Sequence, residues 1–320
     1  MKKSLILLSV FCSFQLLFAE PRMVKMQYGD FEHWTVRYIK ESVILGGKTR
    51  ILYAVAPTDT IRKNGPFRYG VKGNPWSPSN AYAKVSGIEK GSGTVVPEYR
   101  DEKNGYCCRL DSKLEEMTAL GMIDIKVLVA GTLFTGRTIE PIKTAKDPYQ
   151  NIDFGVPFTK TPVAVVYDYK AVVKPDQTMT YAKGLGKPKT VSGHDEAEVF
   201  CLLQRRWEDE DGNIFAERVA TANERFTESQ PNWVSNHRLV LHYGDITGMD
   251  FYKPYMALQT DFMRAMNSKG KIVPIQEVGY ATEGTHPTHI ILSFSSGCQE
   301  AFVGCDGNTL WIDNIRMLYE

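Results

Sequence analysis

The sequence predicts an all-β protein, a β-sandwich or jelly roll with one or two short helices inserted. Three observations predict this fold class: strand-like segments recur along the chain, turn-forming dipeptides separate them, and helical periodicity is scarce. Many short strands with regular turns and few helices are typical of sandwiches and jelly rolls.

Six segments carry the strand signal, because β-branched and aromatic residues are concentrated in them. They are Ile123–Phe134, Val163–Val173, Glu198–Leu203, Arg238–Tyr243, His289–Phe294 and Thr309–Tyr319. The last segment carries apolar side chains on both of its faces, which predicts a central strand rather than an edge strand. Between two other strand-like runs, Asp211-Gly212 predicts a hairpin turn.

Helical signals are confined to two segments. Asp111–Leu120 predicts two helical turns, with an acidic or hydroxyl residue as the N-terminal cap. Pro254–Asn267 has apolar residues at spacings of four, from Leu258 to Met266, which predicts an amphipathic helix. No internal repeat, low-complexity tract or linker interrupts the chain, so one domain over residues 20–320 fits better than two.

The charge of the chain argues against several classes of partner. The formal net charge is +1, from 38 basic and 37 acidic side chains in 320 residues. A chain so close to neutral creates no strong field toward nucleic acid or an anionic membrane surface. The sequence contains no nucleotide-binding fingerprint, so no nucleotide cofactor is expected. The charge of the chain does not argue against neutral partners such as glycans.

The first nineteen residues predict a secretory signal peptide. Lys2 and Lys3 precede an apolar run that starts at Leu5, and a small residue, Ala19, ends the segment. Cleavage after Ala19 would leave residues 20–320 as an exported protein, in the periplasm, on the cell surface or secreted. The apolar run is too short to span a bilayer comfortably, and no other segment is long enough, so no integral membrane segment is expected.

Four stretches, taken in order, resemble one known family. They are Ala130–Gly136, Asn151–Phe158, Gly193–Leu203 and Ser293–Ile315. In these stretches the chain is similar to the putative carbohydrate metabolism domain (PCMD) family, which is known mainly from exported proteins of Bacteroidetes. The similarity covers nearly the whole mature chain. The resemblance implies a jelly roll similar to carbohydrate-binding modules, and a protein that binds or handles glycans.

The resemblance also extends to one segment near each end of the chain. Tyr28–Trp34 resembles the start, and Leu310–Arg316 the last strand, of many jelly-roll carbohydrate-binding modules. In those modules the first and last strands are neighbours, and a structural calcium ion often joins them. This implies that Glu32 and Asp313, with Asp30 as a third candidate, ligate calcium through their carboxylates. The alternative is that these carboxylates are hydrogen-bonded or solvated groups at strand ends.

Aromatic residues near turns are candidates for sugar stacking, because sugar sites combine flat aromatic surfaces with polar side chains. Trp76 is the strongest candidate, since the stretch Gly73–Asn80 is too rich in turn residues for a strand and is expected at the surface. Asn74, in the same stretch, is its polar partner. Weaker aromatic candidates are Tyr82, Trp207 and Trp233. For each aromatic residue the alternative is packing in the core.

The segment Tyr167-Asp168-Tyr169 is a further sugar-binding candidate. Strand alternation puts both tyrosines on one face and Asp168 on the opposite face. On a concave outer face the tyrosines would form a floor for a sugar ring. On an inner face they would be core residues.

A binding protein and an enzyme both agree with this sequence. A glycoside hydrolase on the same sandwich would need two carboxylates flanking the scissile bond. The chain has many carboxylates, but spacing along a sequence does not measure separation in space, so the catalytic residues are left unassigned. Glycan binding is the first hypothesis, hydrolysis is the alternative, and a structural surface component is a third.

Overall fold

The computed structural model describes residues 20–119, 123–144, 147–175 and 178–320. The predicted signal peptide, residues 1–19, lies outside the described residues. The described chain is nearly all β, which confirms the predicted fold class. None of its described helices has the length and apolar character needed to cross a membrane. These helices are short 3₁₀ turns at Val43–Leu45, Val71–Gly73, Pro148–Asn151 and Pro254–Met256.

The strands are numbered in chain order. The first nine are β1 (Arg22–Lys25), β2 (Trp34–Lys40), β3 (Thr49–Val55), β4 (Asp59–Ile61), β5 (Trp76–Pro78), β6 (Ala81–Val85), β7 (Ile88–Ser92), β8 (Val95–Asp101) and β9 (Gly105–Asp111). The next nine are β10 (Lys113–Ala119), β11 (Ile123–Val129), β12 (Thr132–Thr138), β13 (Ile152–Phe154), β14 (Val156–Pro157), β15 (Ala164–Val172), β16 (Thr178–Tyr181), β17 (Lys183–Leu185) and β18 (Lys189–Ser192). The last nine are β19 (Ala197–Glu208), β20 (Ile214–Phe226), β21 (Gln230–Val240), β22 (His242–Tyr243), β23 (Arg264–Met266), β24 (Ile272–Tyr280), β25 (His289–Ser295), β26 (Val303–Gly304) and β27 (Thr309–Tyr319).

Two large sheets form the body of the protein. The front sheet has the strand order β21-β15-β27-β9-β8, with β1 paired to β27. The back sheet has the order β13-β12-β25-β19-β20-β24-β23, and β5, β14 and β22 are attached to it. Smaller sheets are formed by β2 to β4, by β6 and β7, by β10, β11 and β17, and by β16, β18 and β26. The predicted hairpin is the turn between β19 and β20.

The front and back sheets pack face to face around a shared core. The ring of Tyr167 in the front sheet lies 5.2 Å from the ring of Phe294 in the back sheet, at an interplanar angle of 83°. Aromatic rings favour this edge-to-face contact. Buried aliphatic residues of both sheets, such as Leu310 and Leu203, belong to the same cluster. The architecture is therefore a β-sandwich, while its jelly-roll connectivity stays a prediction.

The back sheet is buried on its other face as well. Phe134, Leu202 and Ile291 form a second cluster, separate from the core between the sheets, together with Phe154 and Met263. A strand that is buried on both faces reads as a continuous apolar run instead of an alternating one. This burial explains the unbroken apolar segments of β19 and β25.

The last strand is central, as its sequence predicts. β27 pairs with β15 along one edge, and with β9 and β1 along the other. The N-terminal loop is tied to it, because the Met26 amide donates to Ile315 O at 3.0 Å and the Ile315 amide donates to Gly29 O at 2.8 Å. Glycine suits this close approach, since a Cβ at Gly29 would lie 3.1 Å from Ile315 Cβ. The strand beside β27 is therefore β1, whereas β2, which Tyr28–Trp34 leads into, pairs with β3 and β4.

The first predicted helix is wrong, because the segment is part of a sheet. Asp111 ends β9, and Lys113–Ala119 forms β10, whose pairing with β11 places Glu116 opposite Lys126. Lys126 Nζ donates to Glu116 Oε1 at 2.7 Å. Leu120 lies outside the described residues. Ladder hydrogen bonds and cross-strand pairs outweigh local helical propensity here.

The second predicted helix, Pro254–Asn267, is also wrong. It is a 3₁₀ turn followed by an irregular segment and by β23. Its backbone bonds to neighbouring segments instead of to itself: the Ile275 amide donates to Met263 O, and the Gln259 amide donates to the Glu277 carboxylate. The residues at spacings of four do not share a buried face, since Phe262 is exposed whereas Met256 and Met263 are buried. Tertiary contacts override local propensity here.

A buried ion pair joins the sheet of β2 to the rest of the protein. Arg37 donates to both carboxylate oxygens of Glu140, at 3.1 and 2.6 Å, and both side chains are almost fully buried. Glu140 also accepts from the backbone amides of Phe67 and Tyr82. One carboxylate thus holds three separate segments in place.

Glu140→Gln should lower the free energy of unfolding by about 3–5 kcal/mol, because it leaves the Arg37 charge buried without its counter-ion. Urea unfolding followed by tryptophan fluorescence measures the loss. The matched control is Glu217→Gln, whose pair with Arg205 lies at the surface with the two side chains 33% and 57% exposed. Removing such a pair costs less than about 1 kcal/mol. Equal losses in the two variants would contradict the prediction.

Candidate functional site

Trp76 is fully buried, so the prediction that places it at the surface is wrong. It lies in β5, which pairs with β12, and its indole contacts Phe31 and Phe294 at centroid distances of 6.5 and 6.4 Å. Asn74 is buried beside it and donates from Nδ2 to a backbone carbonyl at 2.6 Å. The turn-rich flanks lead the chain into the core instead of along the surface, so neither side chain is accessible to a sugar.

The three candidate tyrosines are buried as well. The hydroxyl of Tyr82 donates to Glu89 Oε1 at 2.8 Å, and its ring belongs to a small apolar cluster. Tyr167 and Tyr169 share one face of β15, as alternation predicts, but that face is the inner one. The ring of Tyr169 stacks on Phe226 at 4.5 Å. These tyrosines are core residues, so the expectation that they contact a ligand is not supported.

Asp168 and Asp313 meet on the outer face of the front sheet, at one arginine. Arg100 Nη1 donates to Asp168 Oδ2 at 2.9 Å and to Asp313 Oδ2 at 2.7 Å. The Asn236 amide and the Asn314 side chain also donate to Asp168, at 2.8 and 3.1 Å. Burial raises the pKa of Asp313 to about 6, and Arg100 acts in the opposite direction. The Arg100 guanidinium does not fully offset the desolvation of Asp313.

The described residues do not fit the expected calcium site. Asp313 is engaged by Arg100, whose positive charge disfavours a cation at the same carboxylate. Glu32 is exposed and accepts from the Tyr106 amide at 2.8 Å, and Asp30 is half-buried. Within the described ranges, no three His, Cys, Asp or Glu side chains are grouped as a metal site requires. Calcium binding stays a prediction without structural support.

A cleft of about 360 Å³ opens at one side of the sandwich, beside the last residues of β20. β20 pairs with β24 as far as Arg218, and with β22 at Ala220 and Thr221. Beyond Thr221 this edge of β20 has no partner strand in the part of the chain that the structure describes. The end of β21 and the segment 246–256 form the other walls of the cleft.

An ion pair and two hydrogen bonds hold the polar side chains of the cleft. Arg225 Nε donates to Glu198 Oε1 at 2.8 Å, and Asn223 donates to the same oxygen at 3.3 Å. His237 Nε2 donates to Glu224 Oε2 at 2.6 Å. Burial raises the pKa of Glu198, while Arg225 acts in the opposite direction. These contacts therefore fix the groups in position before a ligand binds, and the charges of Arg225 and Glu198 offset each other.

Aromatic rings form the other part of the lining. Arg225 Cζ lies 3.9 Å from the ring centroid of Tyr255, a cation–π geometry. The rings of His242 and Phe251 lie 4.1 Å apart at an angle of 31°. Burial lowers the pKa of His242, so its ring is neutral at neutral pH. Flat apolar rings beside hydrogen-bonding groups can accept a sugar, whose CH face stacks while its hydroxyl groups hydrogen-bond.

Sequence reasoning misses these residues. Asn223-Glu224-Arg225 reads as the polar end of an apolar strand, and Tyr255 falls in the segment predicted as a helix. The available signal is the run of polar residues Asn223-Glu224-Arg225 after the mostly apolar stretch 219–222. That signal indicates an exposed strand end, but it does not show which segment lies opposite.

Comparison with known proteins finds one family. The family model described as Putative carbohydrate metabolism domain (PCMD) matches residues 53–318. The match begins within β3 and ends within β27, so it includes the cleft and the cluster around Arg100. No curated protein matches the chain significantly.

Two of the solved structures that match the chain come from Bacteroides species. One, described as a putative glycoside hydrolase from Bacteroides thetaiotaomicron, is 18% identical, with coverage of 89% of this chain and 71% of its own and a TM-score of 0.46. The other, described as a putative glycoside hydrolase from Bacteroides vulgatus, is 15% identical, with coverage of 92% and 94% and a TM-score of 0.43.

Asp313→Asn should flatten the pH dependence of stability between about pH 4 and 6. In the wild type, the raised pKa of Asp313 means that the folded state keeps a proton that the unfolded state has already released in this range. Stability therefore falls as the pH rises through it, and the variant lacks this contribution. Chemical denaturation at a series of pH values measures both proteins. Parallel curves would contradict the prediction.

Proposed function

The chain belongs to the putative carbohydrate metabolism domain (PCMD) family, and on this premise we propose that it is an exported protein that binds glycans in the cleft beside β20. The observation that carries the proposal is the lining of that cleft, in which Tyr255 and Phe251 lie next to Asn223 and Arg225. The family supports a carbohydrate-related function in general. The cleft is the specific site that we add.

Each part of the lining has a role in this proposal. The rings of Tyr255 and Phe251 stack on the CH face of a sugar ring and remove apolar surface from water. Asn223 exchanges hydrogen bonds with hydroxyl groups. Arg225 stays paired with Glu198, so its remaining N–H groups donate without bringing an unpaired charge to the ligand. Because the charges of Arg225 and Glu198 offset each other, this pair does not by itself draw a charged sugar to the cleft.

Export is the second element of the proposal. It is based on the two lysines and the apolar run that ends at Ala19, the features of a signal peptide. A chain of nearly neutral charge is not drawn to anionic polymers, which agrees with a neutral glycan as the ligand. The periplasm, the cell surface and the medium are all open as its location.

Tyr255→Ala should weaken glycan binding about tenfold or more, because it removes a stacking surface and leaves the Arg225–Glu198 pair in place. A glycan array identifies a ligand, and titration calorimetry with that ligand measures Kd. Tyr255→Phe keeps the ring, so its Kd should stay within about threefold of the wild-type value.

The matched control is Tyr99→Ala, which removes a tyrosine of β8 that is 56% exposed. Its Kd should equal that of the wild type. An unchanged Kd for Tyr255→Ala would exclude the cleft as the site. A wild-type protein that binds no glycan on the array would contradict glycan binding altogether.

Hydrolysis is the second candidate function, because two carboxylates lie at the cleft. Glu224 lines it, and Glu198 is bonded to two lining residues and has a pKa that burial raises. A raised pKa is what the general acid of a glycosidase requires. In this candidate mechanism Glu198 protonates the leaving oxygen, while Glu224 activates water or attacks the anomeric carbon.

For hydrolysis, the wild type should release new reducing ends from a bound oligosaccharide. Glu224→Gln should lower that rate by about 100-fold or more while the oligosaccharide still binds. A reducing-end assay and calorimetry on the same ligand measure the two effects. A wild-type protein that binds the oligosaccharide and releases no reducing ends would exclude hydrolysis and leave binding.

A further inference from the structure

A second aromatic surface lies outside the cleft, on the outer face of the front sheet. Arg100 Cζ lies 3.9 Å from the ring centroid of Trp233. The Arg100 side chain is only 5% exposed, whereas Trp233 is partly exposed. The indole therefore covers the arginine and turns its opposite ring face outward. We call Trp233 and the Arg100 beneath it the platform.

The platform rests on a network that holds Arg100 in one position. Asp168 and Asp313 both accept from its Nη1. Asn236 and Asn314, which both donate to Asp168, have positive φ values of 58° and 54°. The pairing of β15 with both of its neighbours is irregular beside Asp168. Strained backbone and bulges of this kind are concentrated at functional sites.

Stability alone is a weak explanation for this network. A buried ion cluster is often no more stable than well-packed apolar residues of the same volume. The network fixes the position of Arg100, on which the indole of Trp233 packs. A ring that is already held in place loses little conformational entropy when a ligand stacks on it, so the arrangement suits a binding surface.

A second indole continues the surface on the neighbouring strands. Trp311 Nε1 donates to Glu98 Oε1 at 2.8 Å. Lys170 Nζ lies 4.0 Å from the ring centroid of Trp311 and 5.8 Å from that of Trp233. The two indoles thus share one ammonium group, and both are anchored from the sheet side.

The carboxylates of this outer face form ion pairs with arginines of the same face. Arg100 holds Asp168 and Asp313 at 2.9 and 2.7 Å, and Arg109 holds Glu98 at 2.7 Å. Lys170 is the exception, since its ammonium contacts the two indoles. With its carboxylates paired, the face carries no strong field toward a charged polymer. It offers partly exposed flat rings and hydrogen-bonding groups instead. That combination matches the chemistry of a neutral polysaccharide.

We propose that the platform is a second glycan contact, which extends the cleft toward long neutral polysaccharides. The proposal rests on the proposed function of the cleft and deepens it. β21 carries both surfaces, since Leu239 and Val240 line the cleft and Trp233 lies on the same strand. The separation between Trp233 and Leu239 is about 20 Å at the usual rise of a strand. A long polysaccharide reaches both contacts, whereas a short oligosaccharide reaches one.

Affinity gel electrophoresis with soluble xylan, mannan and starch tests the platform with Trp233→Ala. On each polymer that retains the wild type, the variant should bind about tenfold more weakly. Its Kd for the matching short oligosaccharide in the cleft should be unchanged. Trp233→Phe keeps a ring and should lose less than about threefold. The matched control is Trp207→Ala, which removes a 43% exposed tryptophan of the back sheet and should change neither measurement.

Two results would contradict the proposal that the platform binds polysaccharide. One is unchanged polymer retention by Trp233→Ala, and the other is a loss of the same size for polymer and oligosaccharide. Retention by polygalacturonate alone, or retention that is lost as the salt concentration rises from about 50 to 500 mM, would show that the ligand is charged. A lower sedimentation coefficient in Trp233→Ala alone would identify the face as a contact between protein copies. Tyr255→Ala keeps the two proposals separate, because loss of oligosaccharide binding reports on the cleft and not on the platform.

Discussion

The pairing of β27 is the constraint on which the rest of the structure depends. Its bonds to β15 on one edge, and to β9 and β1 on the other, join the beginning, middle and end of the chain in one sheet. The inner face of β27 contributes Leu310 and Ile312 to the core, and its outer face carries Trp311 and Asp313. Core packing and the outer surface of the front sheet are therefore set by the same strand.

Buried ion pairs hold segments that are not paired as strands. Arg218 and Glu277 are both fully buried, and Arg218 also donates to the carbonyl of Met256 in the wall of the cleft. Arg37 and Glu140 act in the same way beneath the N-terminal sheet. Such pairs add little net stability, since desolvation opposes their attraction. Their consequence is a defined position for loops that lack a regular hydrogen-bond ladder.

The two proposed contact surfaces follow from where the sandwich leaves its strands uncovered. The cleft exists because one edge of β20 loses its partner strand after Thr221. The platform exists because the outer face of the front sheet carries the indole of Trp233 over an arginine that two carboxylates hold. β21 carries residues of both surfaces, Leu239 and Val240 in the lining of the cleft and Trp233 in the platform. A carbohydrate-related function of the family agrees with both surfaces.

The sequence by itself determined the all-β class, the principal strands, the turn between β19 and β20, and the central place of the last strand. These features depend on composition, alternation and turn dipeptides, which act between residues close in the chain. Only the tertiary structure decided that Trp76 and Tyr167 lie in the core, because burial depends on which sheet covers a side chain. It also decided that Arg100 joins Asp168 and Asp313, which are 68 and 213 residues away in sequence. Contacts over such separations arise from sheet order, and no local pattern of residues records that order.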